Sequence, residues 1–431
     1  MPINERTKKA MKRISAKRTV ALILCAIISL SAMSCSSRLV LGDKFNHNAD
    51  YITTPLKQDD TDKSSPLITD DSSNSAITDP DGVLKNSMSI SFFGSNIIHD
   101  AVNADARSRA DGGYEYSSMF DGIKDLISSS DVSFVTQETV MAGEGYAITG
   151  YPSFNAPQDL GYQLVDLGFD VVNVATEHLL DKRFDGAIAM GEWWEKTFPE
   201  TIITGYYNNE EEFNTPHIYT DPETEIKIAF LTYTYYNYVH VPNNAGIWIP
   251  FTADADIKNQ INSVKDKCDV IAVSIHWGGQ MSEEPNETQR RLAKMMNELG
   301  VDIIIGNHPY YMQPIETIVG ENGQTTYVAY SLGQLLSGML DPRALLSASL
   351  KFNLVRGDDG TVSVLAPEVT PIFCHYNTDY NEFSLYKLAD YSQQLVSRHG
   401  AQFQIPFSYN DLCRFVRLSV KGDLLPEQFK K

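Results

Sequence analysis

The sequence predicts a layered α/β domain occupying most of the chain from Ser87 onward. Two observations carry that class. Short apolar runs rich in β-branched and aromatic residues alternate with longer stretches of helical periodicity. Several of the short runs also have few polar interruptions, the texture of strands covered on both faces.

In chain order the predicted strands are Ser89–Phe93 (SISFF), Val132–Val135, Val171–Val174, Lys227–Tyr233, Val270–Ile275 and Val301–Ile305. Helices are predicted between them. Thr288–Leu299 carries Leu292, Met295, Met296 and Leu299 at helical spacing, with Gly300 placed to end it. Pro157–Leu167 ends in the same way at Gly168, and Ala253–Lys267 is a third amphipathic stretch. After Leu350 the pattern predicts a hairpin around Gly357–Gly360, a helix near Leu385–Ser397 and a final short strand.

The N-terminus reads differently. Lys8, Lys9, Lys12, Arg13, Lys17 and Arg18 precede the apolar run Thr19–Leu30, the order of an export signal. That run is shorter than the about 20 apolar residues a transmembrane helix needs. It ends in Ser31-Ala32-Met33-Ser34-Cys35, which resembles a bacterial lipobox and implies lipidation at Cys35. Ala32 stands where that pattern prefers Leu. From Ser36 to Asn86 the chain turns to Ser, Thr, Asp and Asn without apolar period, a composition that reads as a flexible linker. The expected organisation is therefore a signal over 1–34, a linker over 35–86, a main domain over 87–375 and a small C-terminal extension over 376–431.

Charge excludes one class of partner. The 431 residues hold 35 basic and 55 acidic side chains, a net −20. Beyond residue 34 the balance is 28 to 54, or −26. Nucleic acid is not an expected partner, because binding it requires positive surface that displaces counterions from phosphates. Five Cys in such a length exclude a disulfide-stapled scaffold, and only Cys268, Cys374 and Cys413 lie beyond the lipobox.

Polar residues collect just after the predicted strands. Ser95 and Asn96 follow the first, Gln137 and Glu138 the second, and Glu177, His178 and Asp181 the third. His276 follows the Val270 run, and Asn307 and His308 follow the Val301 run. In layered α/β folds the carboxyl ends of strands share one edge where ligands bind. Residues spread over about 210 positions can thus converge. Imidazole nitrogen with carboxylate oxygen suits Zn, Fe or Mn. A lone His or Glu in such a place is ordinarily a hydrogen-bonded loop residue, so the joint pattern, not any one residue, points to a site.

These residues fall within an ordered set of motifs: Gly94-Ser95-Asn96-Ile97-Ile98-His99-Asp100, Gln137-Glu138-Thr139, Tyr151-Pro152-Ser153-Phe154-Asn155-Ala156-Pro157, Ala175-Thr176-Glu177-His178-Leu179-Leu180-Asp181, His276-Trp277-Gly278, Gly306-Asn307-His308-Pro309 and Tyr330-Ser331-Leu332-Gly333. In that order they resemble the CapA family of capsule-synthesis proteins, associated with poly-γ-glutamate production in bacteria. The resemblance spans about Ser87 to Pro342. It implies a metallophosphatase-like fold, a two-sheet β-sandwich flanked by helices with a metal site at the strand ends. It also implies a signal or a lipid anchor, in agreement with the N-terminus.

The chain departs from the family pattern at polar positions. Ser95 stands for an Asp, Thr136 for an Asn, Glu177 for an Asn, Gln280 for an acid, Tyr310 for a His and Gln334 for an Asn. Glu138, His178, Asp181, His276, His308 and Glu316 remain. A dinuclear centre holds two ions about 3.5–4 Å apart through anionic and imidazole ligands, and a neutral serine hydroxyl is a poor substitute for a bridging carboxylate. The normal pair of metals is therefore not expected. Glu177 restores the negative charge that Ser95 removes, so one divalent transition metal (Mn, Fe or Zn) on Glu138, Glu177, His178, His276 and His308 is the metal-binding expectation, with His178, Asp181 and His276 as catalytic candidates. The other expectation is a retired site without metal, favoured because nothing in the sequence compensates Thr136, Gln280, Tyr310 and Gln334.

Three functional readings follow from the resemblance. The chain is a weakly catalytic or non-catalytic protein of capsule-polymer synthesis, export or anchoring on the outer face of the cell membrane. Alternatively it is a single-metal hydrolase or transferase acting on an amide or phosphoester, or a structural lipoprotein. The expected partner is an anionic surface polymer or its precursor. The acidic chain repels such a polymer at long range, so contact needs local basic residues, of which Lys182-Arg183 is the nearest pair to the Glu-His motif. The aromatic run Tyr233–Tyr238 with Trp248 reads either as a stacking surface or as loop packing.

Overall fold

The structure, a computed structural model, describes residue 84 and residues 86–235, 249–250 and 252–430. The signal, the Cys35 lipidation site, nearly all of the linker, and Tyr236–Tyr238 with Trp248 lie outside the described residues. No helix among the described residues is long and apolar enough to cross a membrane.

In chain order the strands are β1 Ser87–Ile97, β2 Val132–Gln137, β3 Val171–Asn173, β4 Ile202–Thr204, β5 Ile218–Thr220, β6 Lys227–Thr234, β7 Val270–His276 and β8 Ile303–Asn307. They continue with β9 Ile315–Val319, β10 Thr325–Ala329, β11 Gln334–Ser337, β12 Leu346–Arg356, β13 Val362–Val364, β14 Glu368–His375 and β15 Ser384–Lys387. The helices are α1 Asp100–Arg109, α2 Lys124–Ser128, α3 Asp159–Asp166, α4 Arg183–Thr197, α5 Glu210–Phe213, α6 Asp254–Val264, α7 Glu287–Glu298, α8 Gln393–Arg398 and α9 Tyr409–Ser419.

Two sheets form. The first runs β15-β14-β12-β1-β2-β3-β4, with β11 beside β1 and β13 beside β12. The second runs β5-β6-β7-β8-β10-β9. Strands β1 to β4 are parallel, as are β6, β7, β8 and β10, so the carboxyl ends of the central strands within each sheet point the same way.

The sheets pack face to face. Phe134 of β2 meets Phe230 of β6 with ring centroids 5.9 Å apart, and Tyr327 of β10 meets Phe352 of β12 at 5.7 Å. Period-two alternation sorts the side chains of β7: Val270 and Ala272 join the shared core, while Ile271, Val273 and Ile275 join a second core under the helices. Ile257, Ile261 and Val264 of α6 and Leu292, Ala293 and Met296 of α7 cover that outer face. An Asn286–Gln289 capping box starts α7 one residue before the predicted boundary.

The C-terminal part departs from its predicted elements. The expected helix near Leu385–Ser397 is mostly something else: Ser384–Lys387 is β15, paired with β14 from Ile372↔Lys387 to His375↔Ser384, and α8 begins only at Gln393 after the Ser392 cap. Leu385, Leu388 and Val396 have a helix-like spacing, but Leu385 is drawn into the ladder opposite Cys374. The expected final strand is the helix α9. A Ser408–Asp411 capping box starts it, and Leu412, Cys413 and Val416 are buried on one side. Only Val420 makes a strand-like bridge, to Ile315. Residues 376–431 join the shared core through Tyr376, Leu385, Val396, Leu412 and Phe429.

That C-terminal sector buries two histidines. His399 donates from Nε2 to the Cys374 carbonyl (3.1 Å) and accepts the Ala401 N–H at Nδ1 (2.9 Å), which fixes the neutral tautomer. His375 Nδ1 lies 2.7 Å from the Tyr391 hydroxyl. Burial lowers His375 to about 4 and His399 to about 3, although Glu382 pulls the first upward and the Cys374 carbonyl the second. Both imidazoles bind a proton more readily in the unfolded chain, so their stabilising effect is full above pH 6.5 and is lost as pH falls towards 4. Unfolding free energy is expected to drop by about 1.4 kcal/mol per pH unit for each His across that window. Urea unfolding between pH 6.5 and 5 checks this, and a slope that does not flatten in His375→Asn contradicts it.

Candidate metal centre

The polar layer that leads to the centre is set by strand alternation. Thr136, Asn173, Ser274, His276 and Asn307 occupy the carboxyl ends of β2, β3, β7 and β8, and all are buried. Asn307 Nδ2 donates to Thr136 Oγ1 at 3.2 Å. Asn173 Nδ2 reaches both Thr136 Oγ1 (3.3 Å) and Ser274 Oγ (3.2 Å). The Thr136 hydroxyl is thus an acceptor that ties three strand ends of the two sheets together.

Above this layer Glu177, His276 and His308 converge. One ligand atom from each lies within 4.8 Å of the others, and all three residues are buried. Glu177 Oε2 lies 3.5 Å from His276 Nε2 and pairs with His308 Nδ1. His308 Nδ1 and His276 Nε2 are 3.2 Å apart. Glu177 Oε1 faces His178 Nε2 at 3.4 Å and accepts from Gln280 Nε2 at 3.1 Å. Burial alone raises a carboxyl, but bonds to His178, His276 and His308 outweigh it and hold Glu177 well below the usual carboxylate range.

His178 touches the tight group through Glu177. Its Nδ1 lies 2.8 Å from Asp181 Oδ2, the same oxygen that accepts the Phe154 N–H at 2.7 Å. The Phe154 ring stands edge-on to the imidazole, with centroids 4.7 Å apart. Burial lowers His178, but Asp181 and Glu177 outweigh it and raise the imidazole to about 10. Asp181 therefore orients His178 and also pins the loop that precedes α3.

Glu138 is buried, and neither of its carboxylate oxygens has a hydrogen-bond partner. Its backbone N–H bonds the Asn96 carbonyl at 2.9 Å, but it is not in the tight group of three. Glu316 sits elsewhere, half-buried on β9 with Arg290 4.0 Å away. Lys182 is committed to structure: its Nζ bonds Thr149 Oγ1 (2.7 Å), Ser153 O (2.9 Å) and Ser153 Oγ (3.1 Å). Tyr233 is a core residue whose hydroxyl donates to Gln260 Oε1 at 2.6 Å.

Sequence reasoning found no compensation for four of the altered positions, and the structure supplies partners for all of them. Thr136 accepts from two amides, Gln280 bridges Glu177 and Tyr310, and Gln334 Oε1 accepts from Ser337 Oγ at 2.7 Å. Residues 89–339 match the family model described as "Bacterial capsule synthesis protein PGA_cap", which is more than half of the chain. The chain belongs to the bacterial capsule synthesis family. Among characterised capsule-synthesis relatives, it is 29% identical over 217 residues to the PGA biosynthesis protein CapA of Bacillus subtilis (strain 168), covering 50% of this chain and 53% of that protein. It is 27% identical over 203 residues to the capsule biosynthesis protein CapA of Bacillus anthracis, 46% of each. The chain spans about half the length of the curated relatives it matches. Among solved structures, it is similar to the NAD nucleotidase of Haemophilus influenzae (TM-score 0.40, 10% identity, 80% of this chain and 65% of that one). The calcineurin-like phosphoesterase YfkN of Bacillus subtilis gives a TM-score of 0.37 at 14% identity, over 77% and 99%.

In this member of the family the donor set fits one divalent ion. A buried carboxylate and two imidazoles are the mixed O/N ligands that Zn, Fe and Mn accept. The orphaned Glu138 carboxylate is a further anionic donor, since a buried carboxylate is ordinarily paired, hydrogen-bonded or bound to a cation. Ser95, buried where the family resemblance implies an acid, adds no charge for a second ion.

Proposed function

We propose that the chain is an exported protein of surface-polymer assembly, acting on or handling a poly-γ-glutamate-type anionic polymer or its precursor, with one divalent transition metal held by Glu177, His276 and His308. The observation that carries the metal is the buried convergence of those three side chains within 4.8 Å. Family membership supports the capsule role, and the basic–apolar start of the sequence supports export with a lipid anchor at Cys35. When bound, the ion would polarise a carbonyl or phosphoryl oxygen or acidify a water. The protein's own residues bury and orient: Asp181 fixes His178, and His178 and Gln280 hold Oε1 of Glu177. With Ser95 in place of an acid and Tyr310 in place of an imidazole, this reading expects binding with weak turnover or none.

The test is metal analysis by mass spectrometry on the full chain, purified in detergent without chelators, beside His276→Ala, His308→Ala. About one equivalent of transition metal is expected, falling to trace in the variant. Trace metal in both, with both folded, overturns the centre. The mass of the mature N-terminus reads whether Cys35 carries lipid. One observation favours a hydrolase instead: Glu138 places an unpartnered, buried carboxylate at the end of β2, next to the strand that leads to Glu177. Metal-dependent release from a γ-glutamyl amide or a phosphodiester by the same two preparations decides between binding and turnover.

A further inference from the structure

Glu177 has a division of labour between its two oxygens. Oε2 faces His276 and His308, while Oε1 takes the Gln280 amide at 3.1 Å and His178 Nε2 at 3.4 Å. A carboxylate turns freely about its last torsion, whose energy profile is broad. Something must therefore hold the carboxylate plane so that one oxygen is directed at the imidazoles.

Gln280 has the means. Its side-chain NH2 offers two donors; Nε2 reaches Glu177 Oε1 at 3.1 Å and Tyr310 OH at 2.8 Å. The amide is thereby braced on the far side by a phenol. Being neutral, it satisfies Oε1 without taking the negative charge that a cation at Oε2 requires.

The backbone around it is held in an unfavourable shape. Met281, His308 and Tyr310 have φ of 58°, 98° and 67°, the left-handed region that non-glycine residues rarely occupy. The two loops are zipped by Trp277 N–H to Asn307 O (3.0 Å) and Met281 N–H to Pro309 O (2.9 Å). Strained residues persist where surrounding structure over-determines them, and they cluster at functional sites. Here the same contorted segment aims His308 at one oxygen of Glu177 and Tyr310 at the brace for the other.

We infer that Gln280 and Tyr310 form a positioning arm that orients Glu177 so that Oε2, with His276 and His308, presents a preset ligand face to a divalent cation. This rests on the one-metal reading above. Gln280 and Tyr310 are positioning residues and touch no ion themselves. Their role also accounts for the joint presence of Gln and Tyr where the family resemblance implies an acid and a His, since an acid at 280 would repel Glu177.

The test uses Co(II) as the probe on the full chain in detergent, with its visible absorption reporting the ligand geometry. Gln280→Ala is expected to weaken Co(II) binding by about 10–100-fold, the usual effect of losing a group that orients a ligand. It is also expected to shift the visible band while leaving the melting temperature in place, because Gln280 is exposed. The near-isosteric Gln280→Glu should be no better than Gln280→Ala. Tyr310→Phe should act in the same direction and add little to Gln280→Ala in the double variant, because the two act as one unit. Unchanged affinity and an unchanged band in Gln280→Ala overturn the arm while leaving the metal reading intact. A wild-type chain that binds no Co(II) overturns both.

Discussion

Glu177→Ala is expected to abolish metal retention and to lower the unfolding free energy by about 3–5 kcal/mol even with chelator present, the range for deleting one partner from a buried charge pair. Glu177 is the anion between three imidazoles, and its carboxylate is wholly buried. Without it, His276 Nε2 and His308 Nδ1 face each other at 3.2 Å, and His178 keeps Asp181 alone as a counter-charge. The pH dependence has a definite sign. Glu177 is held below its usual value of 4.5, so its stabilising effect is complete at pH 7 and is lost as pH falls below about 4.5. The gap between wild type and variant should therefore be widest near neutrality and narrow in acid. Guanidinium unfolding at pH 7 and pH 4 measures it, with Glu177→Gln as the partner variant that keeps the shape and loses the charge. A difference below about 1 kcal/mol at pH 7 would show that the carboxylate has no part in holding the cluster together.

The fold was legible where apolar runs were long enough to declare a period. β1, β2, β6 and β7 stand where their runs of Ile, Val and Phe place them, because buried parallel strands need little polar interruption. The C-terminal elements were not legible. Leu385 satisfies a helical stripe on paper and a β-ladder in the molecule, and only the existence of β14 decides between them. Strands β9 to β11 are short and mixed in polarity, with the half-buried Glu316 on the same face of β9 as Ile318, so no single face announces them. Local propensity gave way to tertiary pairing at each of these places.

The site divides along a similar line. His178 and Asp181 are three residues apart, and their bond is visible as a spacing. That strand ends bring His276 and Asn307 level is implied by parallel topology and is realised as register partners. The Glu177–Gln280 contact joins residues 103 apart, and Gln280–Tyr310 joins residues 30 apart. Neither pair shares a motif, so Gln280 and Tyr310 read singly as losses. In the fold they are two ends of one hydrogen-bonded chain. Unusual polar residues in facing loops are the available clue to such pairs, and they can be joined only once the loops are known to face each other.

Gly306→Ala tests whether that loop pairing is as tight as the geometry demands. Gly306 precedes Asn307 and His308 at the end of β8. A Cβ there would run into the Tyr330 carbonyl oxygen and come 2.5 Å from Trp277 Nε1. Those two groups are hydrogen-bonded to each other at 2.8 Å, and Trp277 is 1% exposed, so neither has room to yield. The methyl must break the indole bond or push β8 away from β7, and either shift displaces His308 from Glu177. The expected destabilisation is about 4 kcal/mol or more, in the class reserved for overpacking and broken buried hydrogen bonds. Metal content should fall with it. The discriminating comparison is Gly279→Ala in the neighbouring loop, where a Cβ meets nothing within 4 Å. That variant should stay within about 1 kcal/mol of wild type and keep its metal. Equal stability of the two variants in urea would mean that the Trp277–Tyr330 contact gives way easily. The close approach of β8 to the indole would then have no part in placing His308.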